Sequence, residues 1–141
     1  MSEPLLMISL QSLRLFVVAR FVREVLGERD WIPIPGTRHE MPGVIGWGRR
    51  AVAMLDLARM GADLRPLQVG EKRARMLLLQ VSDSNLAIPA DSVSSILDVD
   101  SADIRPRALT DFPLCPREVH WSGEVFPLFD PNLLVEQART Q

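Results

Sequence analysis

The chain contains one unit written twice. Residues 5–26 align with 76–97 at an offset of 71, so that Leu6-Met7-Ile8 falls on Leu77-Leu78-Leu79, Leu15 on Leu86, Val17 on Ile88, Ala19 on Ala90, Val22 on Val93 and Val25-Leu26 on Ile96-Leu97. A second block, Trp47 to Asp56, matches Trp121 to Asp130 at an offset of 74, with Met54-Leu55-Asp56 over Leu128-Phe129-Asp130. The order is kept, and three residues are inserted in the second copy. Apolar matches alone carry little weight in a chain that is 47% hydrophobic, so the duplication rests on the paired Trp-to-Asp spacing and on the conserved order.

Each copy reads as short strands. Leu5 to Leu10 and Met76 to Val81 are nearly continuous apolar runs of strand length, followed by the turn-forming Gln11-Ser12 and Ser82-Asp83-Ser84-Asn85. They open hairpins whose returning strands are Arg14 to Ala19 and Leu86 to Pro89. Asp91-Ser92-Val93 fits an acidic cap before one helical turn. Trp31-Ile32-Pro33-Ile34-Pro35-Gly36 is an edge or a connecting loop, because two prolines remove ladder donors. Strand character resumes over Val44 to Leu55 and Val119 to Phe129, around tight turns at Gly48-Arg49 and Ser122-Gly123.

The 141 residues describe about one globular domain, long enough to bury a core without disulfides or a structural metal. Net charge is −2, but residues 1–75 carry +4 and residues 76–141 carry −6. Fifteen of the sixteen basic residues are arginines, whose planar forks suit interfaces, although a GC-rich genome explains the bias as well. The balance disfavours nucleic acid as a partner. Glu3 stands where a signal peptide has a basic region, Gln11, Ser12 and Arg14 interrupt the apolar start, and no run reaches the roughly 18 apolar residues of a membrane span. With the lone Cys115, this leads us to expect a cytoplasmic protein.

Asp56 and Asp130 sit at equivalent strand ends and invite comparison with a paired-carboxylate hydrolase. Their neighbours argue otherwise: Asp56-Leu57-Ala58 and Asp130-Pro131-Asn132 lack the Ser or Thr and then Gly that such a site places after its acid. Asp130-Pro131 fits an N-cap and first helical proline, opening a final helix to about Arg139, and Asp56 caps a single turn closed by Gly61. Cys115 and His120 have no orienting acid between them, and two histidines without paired cysteines do not make a zinc set. The glycines of Gly43-Val44-Ile45-Gly46-Trp47-Gly48 do not have phosphate-cradle spacing. No catalytic residue, metal or cofactor is therefore assigned. Trp47 and Trp121 are core or half-buried turn residues, or else exposed interface anchors.

Three segments resemble the CheW-like domain family in the family's own order: Val22-Arg23-Glu24-Val25; Pro35 followed by Met41-Pro42-Gly43-Val44-Ile45; and Val52-Ala53-Met54-Leu55-Asp56-Leu57. The resemblance runs from Leu5 to Leu134. It implies a mostly β fold of two pseudo-symmetric five-stranded SH3-like barrels with a short C-terminal helix, one domain over residues 1–141, divided into subdomains at approximately 12–75 and 76–134. It also implies a non-catalytic adaptor that couples chemoreceptor tips to the regulatory domain of a CheA-type histidine kinase, in chemotaxis or pilus motility, without membrane insertion.

Family positions in partner contact match Val22, Glu24, Gly43 and Val44. Each also has a plainer reading: Val22 and Val44 as core, Glu24 as a solvated charge, Gly43 as a turn residue. Where the family has Asn-Leu-Arg-Gly, this chain has Gly46-Trp47-Gly48-Arg49, so Gly48 replaces the partner-binding arginine and Arg49 or Arg50 stands beside it. A shift of one residue turns a side chain to the other face, which marks a divergent adaptor with Trp47, Arg49 and Arg50 as further contact candidates. The alternative is a small β-barrel enzyme or ligand-binding regulator using the inter-barrel groove with Asp56, Asp130 and His120.

Overall fold

The structure, a computed structural model, describes residues 1–35, 38–60, 64–107 and 114–133. Its strands are β1 (Ser2–Leu10), β2 (Leu13–Val18), β3 (Val22–Leu26), β4 (Ile32–Pro33), β5 (Gly43–Trp47), β6 (Arg50–Met54) and β7 (Arg75–Val81). Then come β8 (Ser84–Ala90), β9 (Ser92–Val93), β10 (Leu97–Asp100), β11 (Ile104–Pro106), β12 (Arg117–Trp121) and β13 (Glu124–Phe129).

They form two sheets of matching order. Sheet I runs β10-β1-β2-β13-β12-β11, with β9 also on β1; sheet II runs β3-β7-β8-β6-β5-β4. Replacing each strand of one sheet by its repeat partner generates the other, down to the register of the parallel pairs: Leu128 faces Phe16 in sheet I as Met54 faces Ala87 in sheet II. The sheets have seven and six strands where five each were expected; the extra ones are the two- and three-residue ribbons β4, β9 and β11.

The boundary expected near residue 75 does not separate the sheets. Hairpin β1–β2 joins the strands of the second half, and hairpin β7–β8 joins those of the first. The exchange follows from burial on both faces. Along β7, Met76 and Leu78 point into the core of sheet II, while Leu77 and Leu79 point into a core shared between the sheets. Along β2, Phe16 and Val18 line the core of sheet I, and Leu15 and Val17 join the shared one. An apolar run without alternation is what a strand buried on both faces requires.

Each sheet brings strands from opposite sides of its order to one core: Leu26 of β3 and Ile45 of β5 belong to the same cluster, as do Val99 of β10 and Val119 of β12. Gln11, Ser82 and Ser122 open their turns with positive φ, as does Gly48. Those values recur at the repeat's own offsets, Gln11 with Ser82 and Gly48 with Ser122.

Two local expectations change. Asp91-Ser92-Val93 forms no helical turn, because Ser92 and Val93 pair with Ser9 and Ile8; the Asp91 carboxylate instead accepts the Gln11 amide at 2.6 Å. The second hairpin turn is only Ser82-Asp83, since Ser84 and Asn85 are already in β8. The capping readings hold. Asp56 accepts from the Ala58 amide at 3.1 Å before a 3-10 turn over Leu57–Arg59, and Asp130 accepts from Asn132 at 3.0 Å as residues 131–133 enter a helix. Gly61 and the continuation to Arg139 lie outside the described residues.

Candidate protein-docking site

A single cross-sheet row carries two of the candidate residues. Val22 pairs with Leu79, Leu79 with Leu86, Leu86 with Ala53, Ala53 with Val44, and Val44 with Ile32. Directly paired residues share a face. Leu79 and Leu86 belong to the shared core, and Val22 and Ala53 pack against it. Towards β4 the row emerges: Val44 is half-buried and Ile32 is 62% exposed. The apolar face thus continues past the other sheet into solvent.

Sheet I shows that this outcome is a choice of sequence. There the positions of Ile32, Val44 and Ala53 are taken by Arg105, Glu118 and Pro127, in the same register. His120, two residues further along β12, holds the Glu118 carboxylate at 2.7 Å. One rim is apolar and its counterpart is charged.

Glu24, Trp47, Arg49 and Arg50 form a separate group at the β5–β6 turn. Trp47 packs on the core of sheet II and donates Nε1 to Glu24 Oε2 at 3.1 Å. This contact joins β3 to β5 across the seam between the ends of the strand order. Arg23, which the sequence reading did not single out, lies 4.9 Å from the centre of the Trp47 ring and donates to Gln80 Oε1 at 2.6 Å. Arg23, Trp47, Gly48, Arg49 and Arg50 line an open depression of about 440 Å³. The side chains of Arg49 and Arg50 have no hydrogen-bond or ion-pair partner among the described residues. An arginine on the face of a tryptophan would be the only hint in the sequence, and it depends on pairing no local pattern reveals.

Gly43 is in neither group. It is buried inside β5 rather than in a turn, opposite Pro33 and beneath Trp31.

The residues weighed for chemistry are occupied structurally. Asp56 is 2% exposed; its second oxygen accepts from the Leu67 amide at 2.9 Å and meets Arg59 at 3.3 Å. Cys115 is fully buried in the shared core, and burial pushes its thiol up to about 12. Among the described residues no group of three or more His, Cys, Asp and Glu side chains could hold a metal ion, and no helix is long and apolar enough to cross a membrane.

A family model described as CheW-like domain matches residues 4–139. Among solved structures, the scaffolding protein TtCheW from Thermoanaerobacter tengcongensis superposes with a TM-score of 0.78, at 17% identity, covering 92% of this chain and 90% of that one. Among curated proteins, none matches by sequence.

Proposed function

The chain belongs to the CheW-like domain family, and from that premise we propose that it is a non-catalytic cytoplasmic adaptor coupling chemoreceptors to a CheA-type histidine kinase. The observation that carries this reading is the unequal pair of rims. A duplicated fold that keeps Ile32 and Val44 apolar on one side, while placing Arg105 and Glu118 at the equivalent positions, presents one apolar docking strip and not two. Interfaces of this kind use a small apolar centre with a polar rim.

In this reading the strip from Val22 to Val44 and Ile32 seats an apolar helical face of the receptor tip or the kinase regulatory domain. The Arg23, Arg49 and Arg50 cluster around Trp47 faces acidic side chains of the same assembly. Arg49 in the turn and Arg50 at the start of β6 then supply the positive charge missing at Gly48. Glu24 acts by holding Trp47, and Gly43 by shaping β5. The departure from the family's Asn-Leu-Arg-Gly segment supports a divergent member, serving chemotaxis or a pilus-motility pathway.

The test is co-purification of the full chain with the kinase regulatory domain and the receptor tip encoded in the same genome. Binding to at least one, weakened by Val44→Asp in a protein that remains folded, supports the adaptor. Failure to bind either overturns it.

A further inference from the structure

The duplicated fold allows the two barrel mouths to be compared position by position. In sheet II the mouth is plugged: Trp31 is 9% exposed, packs with Leu26, Met54 and Met76, and donates Nε1 to the Glu71 carbonyl at 2.8 Å. Gly43 makes that possible, since a Cβ there would stand 2.6 Å from Trp31 Cε3. The match to sheet I is fixed by Pro33 opposite Gly43 and Pro106 opposite Arg117, which sets Ile104 in the place of Trp31 and Arg117 in the place of Gly43.

The smaller side chain leaves the mouth of sheet I open. A cavity of about 260 Å³ remains, with Val18, Ile104 and Leu128 as its apolar walls and Glu3, Arg20, Ser101 and Arg117 around it. Arg20 pairs with Glu3 at 3.3 Å, whereas the Arg117 side chain has no hydrogen-bond or ion-pair partner among the described residues. Among the described residues the rim therefore carries one positive charge without an ion-pair partner, above the side chains of Val18, Ile104 and Leu128. A cavity of roughly 150 Å³ already accepts a benzene ring, so the space suffices for an aromatic group.

We propose that this mouth binds a small aromatic carboxylate. The ring lies against Ile104, over the buried Val18 and Leu128, where sheet II seats its own indole, and the carboxylate faces Arg117. An anion is favoured over a neutral hydrocarbon because the Arg117 guanidinium offers charge-assisted hydrogen bonds. A cation is disfavoured by the excess of arginine. This site shares no residue with the apolar strip and does not depend on the adaptor role.

Indole-3-acetate titrated into the isotope-labelled full chain and followed by NMR tests it. The expected result is a saturable shift of the Val18, Ser101, Ile104 and Arg117 amides. Arg117→Ala weakens binding about tenfold or more, as loss of a hydrogen bond to a charged group does, and neutral 3-methylindole binds more weakly and is insensitive to that change. Ile104→Trp, which rebuilds the plug of sheet II, abolishes binding while the rest of the spectrum is kept. If Ile104→Trp does not fold, Arg117→Glu at the exposed rim carries the test. Absence of saturable shifts at the mouth, or binding unchanged in Arg117→Ala and Arg117→Glu, overturns the proposal.

Discussion

Gly43 lies so close beneath Trp31 that no side chain fits between them: an added Cβ would stand 2.6 Å from Trp31 Cε3 and closer still to the Ile32 carbonyl oxygen. Backbone cannot move aside as a flexible side chain can. Gly43→Ala is expected to destabilise by about 1–3 kcal/mol, the usual range for overpacking. Gly46→Ala, in the same strand with nothing within 4 Å of its added Cβ, should cost little. Urea unfolding of the two variants decides. Any binding defect of Gly43→Ala should then track the loss of folded protein, unlike a lost contact.

Asp56 and Asp130 are equivalent in sequence but not in what depends on them. Asp56 satisfies the Ala58 and Leu67 amides and sits beside Arg59 in a buried setting. Among the described residues, the Asp130 side chain caps only Asn132, at a half-buried position. Asp56→Ala should therefore cost about 3 kcal/mol, because it strands a buried amide and a guanidinium. Asp130→Ala should cost about 1 kcal/mol, the ordinary value of a cap. Equal losses in thermal unfolding would contradict this division.

What the sequence displayed was whatever a local pattern could encode. Burial on both faces wrote itself as the unbroken runs Leu5 to Leu10 and Met76 to Val81, the turns showed at Gln11 and Ser122, and the caps showed at Asp56 and Asp130. Exchange of the hairpins did not show, because the pairings of β1 with β10 and of β7 with β3 join segments far apart in the chain. Ser92 illustrates the limit at single-residue scale: its own neighbours favour a helical turn, and its strand conformation comes from Ser9, 83 positions away. The candidate site was legible as residue names only. That Val22 and Val44 share one row, that Glu24 reaches Trp47, and that Gly43 serves Trp31 are facts of register and curvature.

Ile32 ends the apolar row in solvent, so its replacement separates docking from folding. Ile32→Asp at a 62% exposed position should leave stability within about 0.5 kcal/mol. If the strip docks a partner, the same change weakens the complex more than tenfold, as for an anchor residue, and Val44→Asp does likewise. Glu118→Ala on the charged rim should leave affinity unchanged. Calorimetric titration against the kinase regulatory domain compares all three.

Glu71 ties the connection between β6 and β7 together. It meets Arg65 through two hydrogen bonds, at 2.7 and 3.1 Å, and accepts from the Gln68 amide at 2.8 Å. The Arg65 backbone in turn exchanges hydrogen bonds with the Gln11 side chain at 2.8 and 3.0 Å, so this segment straps sheet II to a turn of sheet I. The Arg65 hydrogen bond, with that of Gln68, lowers the Glu71 carboxyl from 4.5 to about 2. A lowered acid contributes fully above its unfolded value and loses that contribution as pH falls through the folded one. Between pH 4.5 and 2 the Gln68 amide should lose protection from hydrogen exchange, and Glu71→Gln should remove the pH dependence within that window.

Cys115 reports on the contact between the sheets, because it is fully buried among Leu77, Leu79 and Phe129 in the core they share. Burial raises its thiol from 9.0 to about 12, leaving almost no thiolate at neutral pH, and thiolate is the species that reacts. Iodoacetamide should therefore label the native protein only as fast as the shared core opens, and labelling should rise steeply with urea. The direction with pH also follows: an acid whose value is raised on folding contributes nothing adverse below pH 9, and stability falls as pH climbs from 9 towards 12 while the unfolded chain ionises. Cys115→Ala should flatten that alkaline limb, at a cost in stability from the small cavity it opens. Rapid labelling of the native chain at neutral pH, unaffected by urea, would show that the sheets do not share the core described.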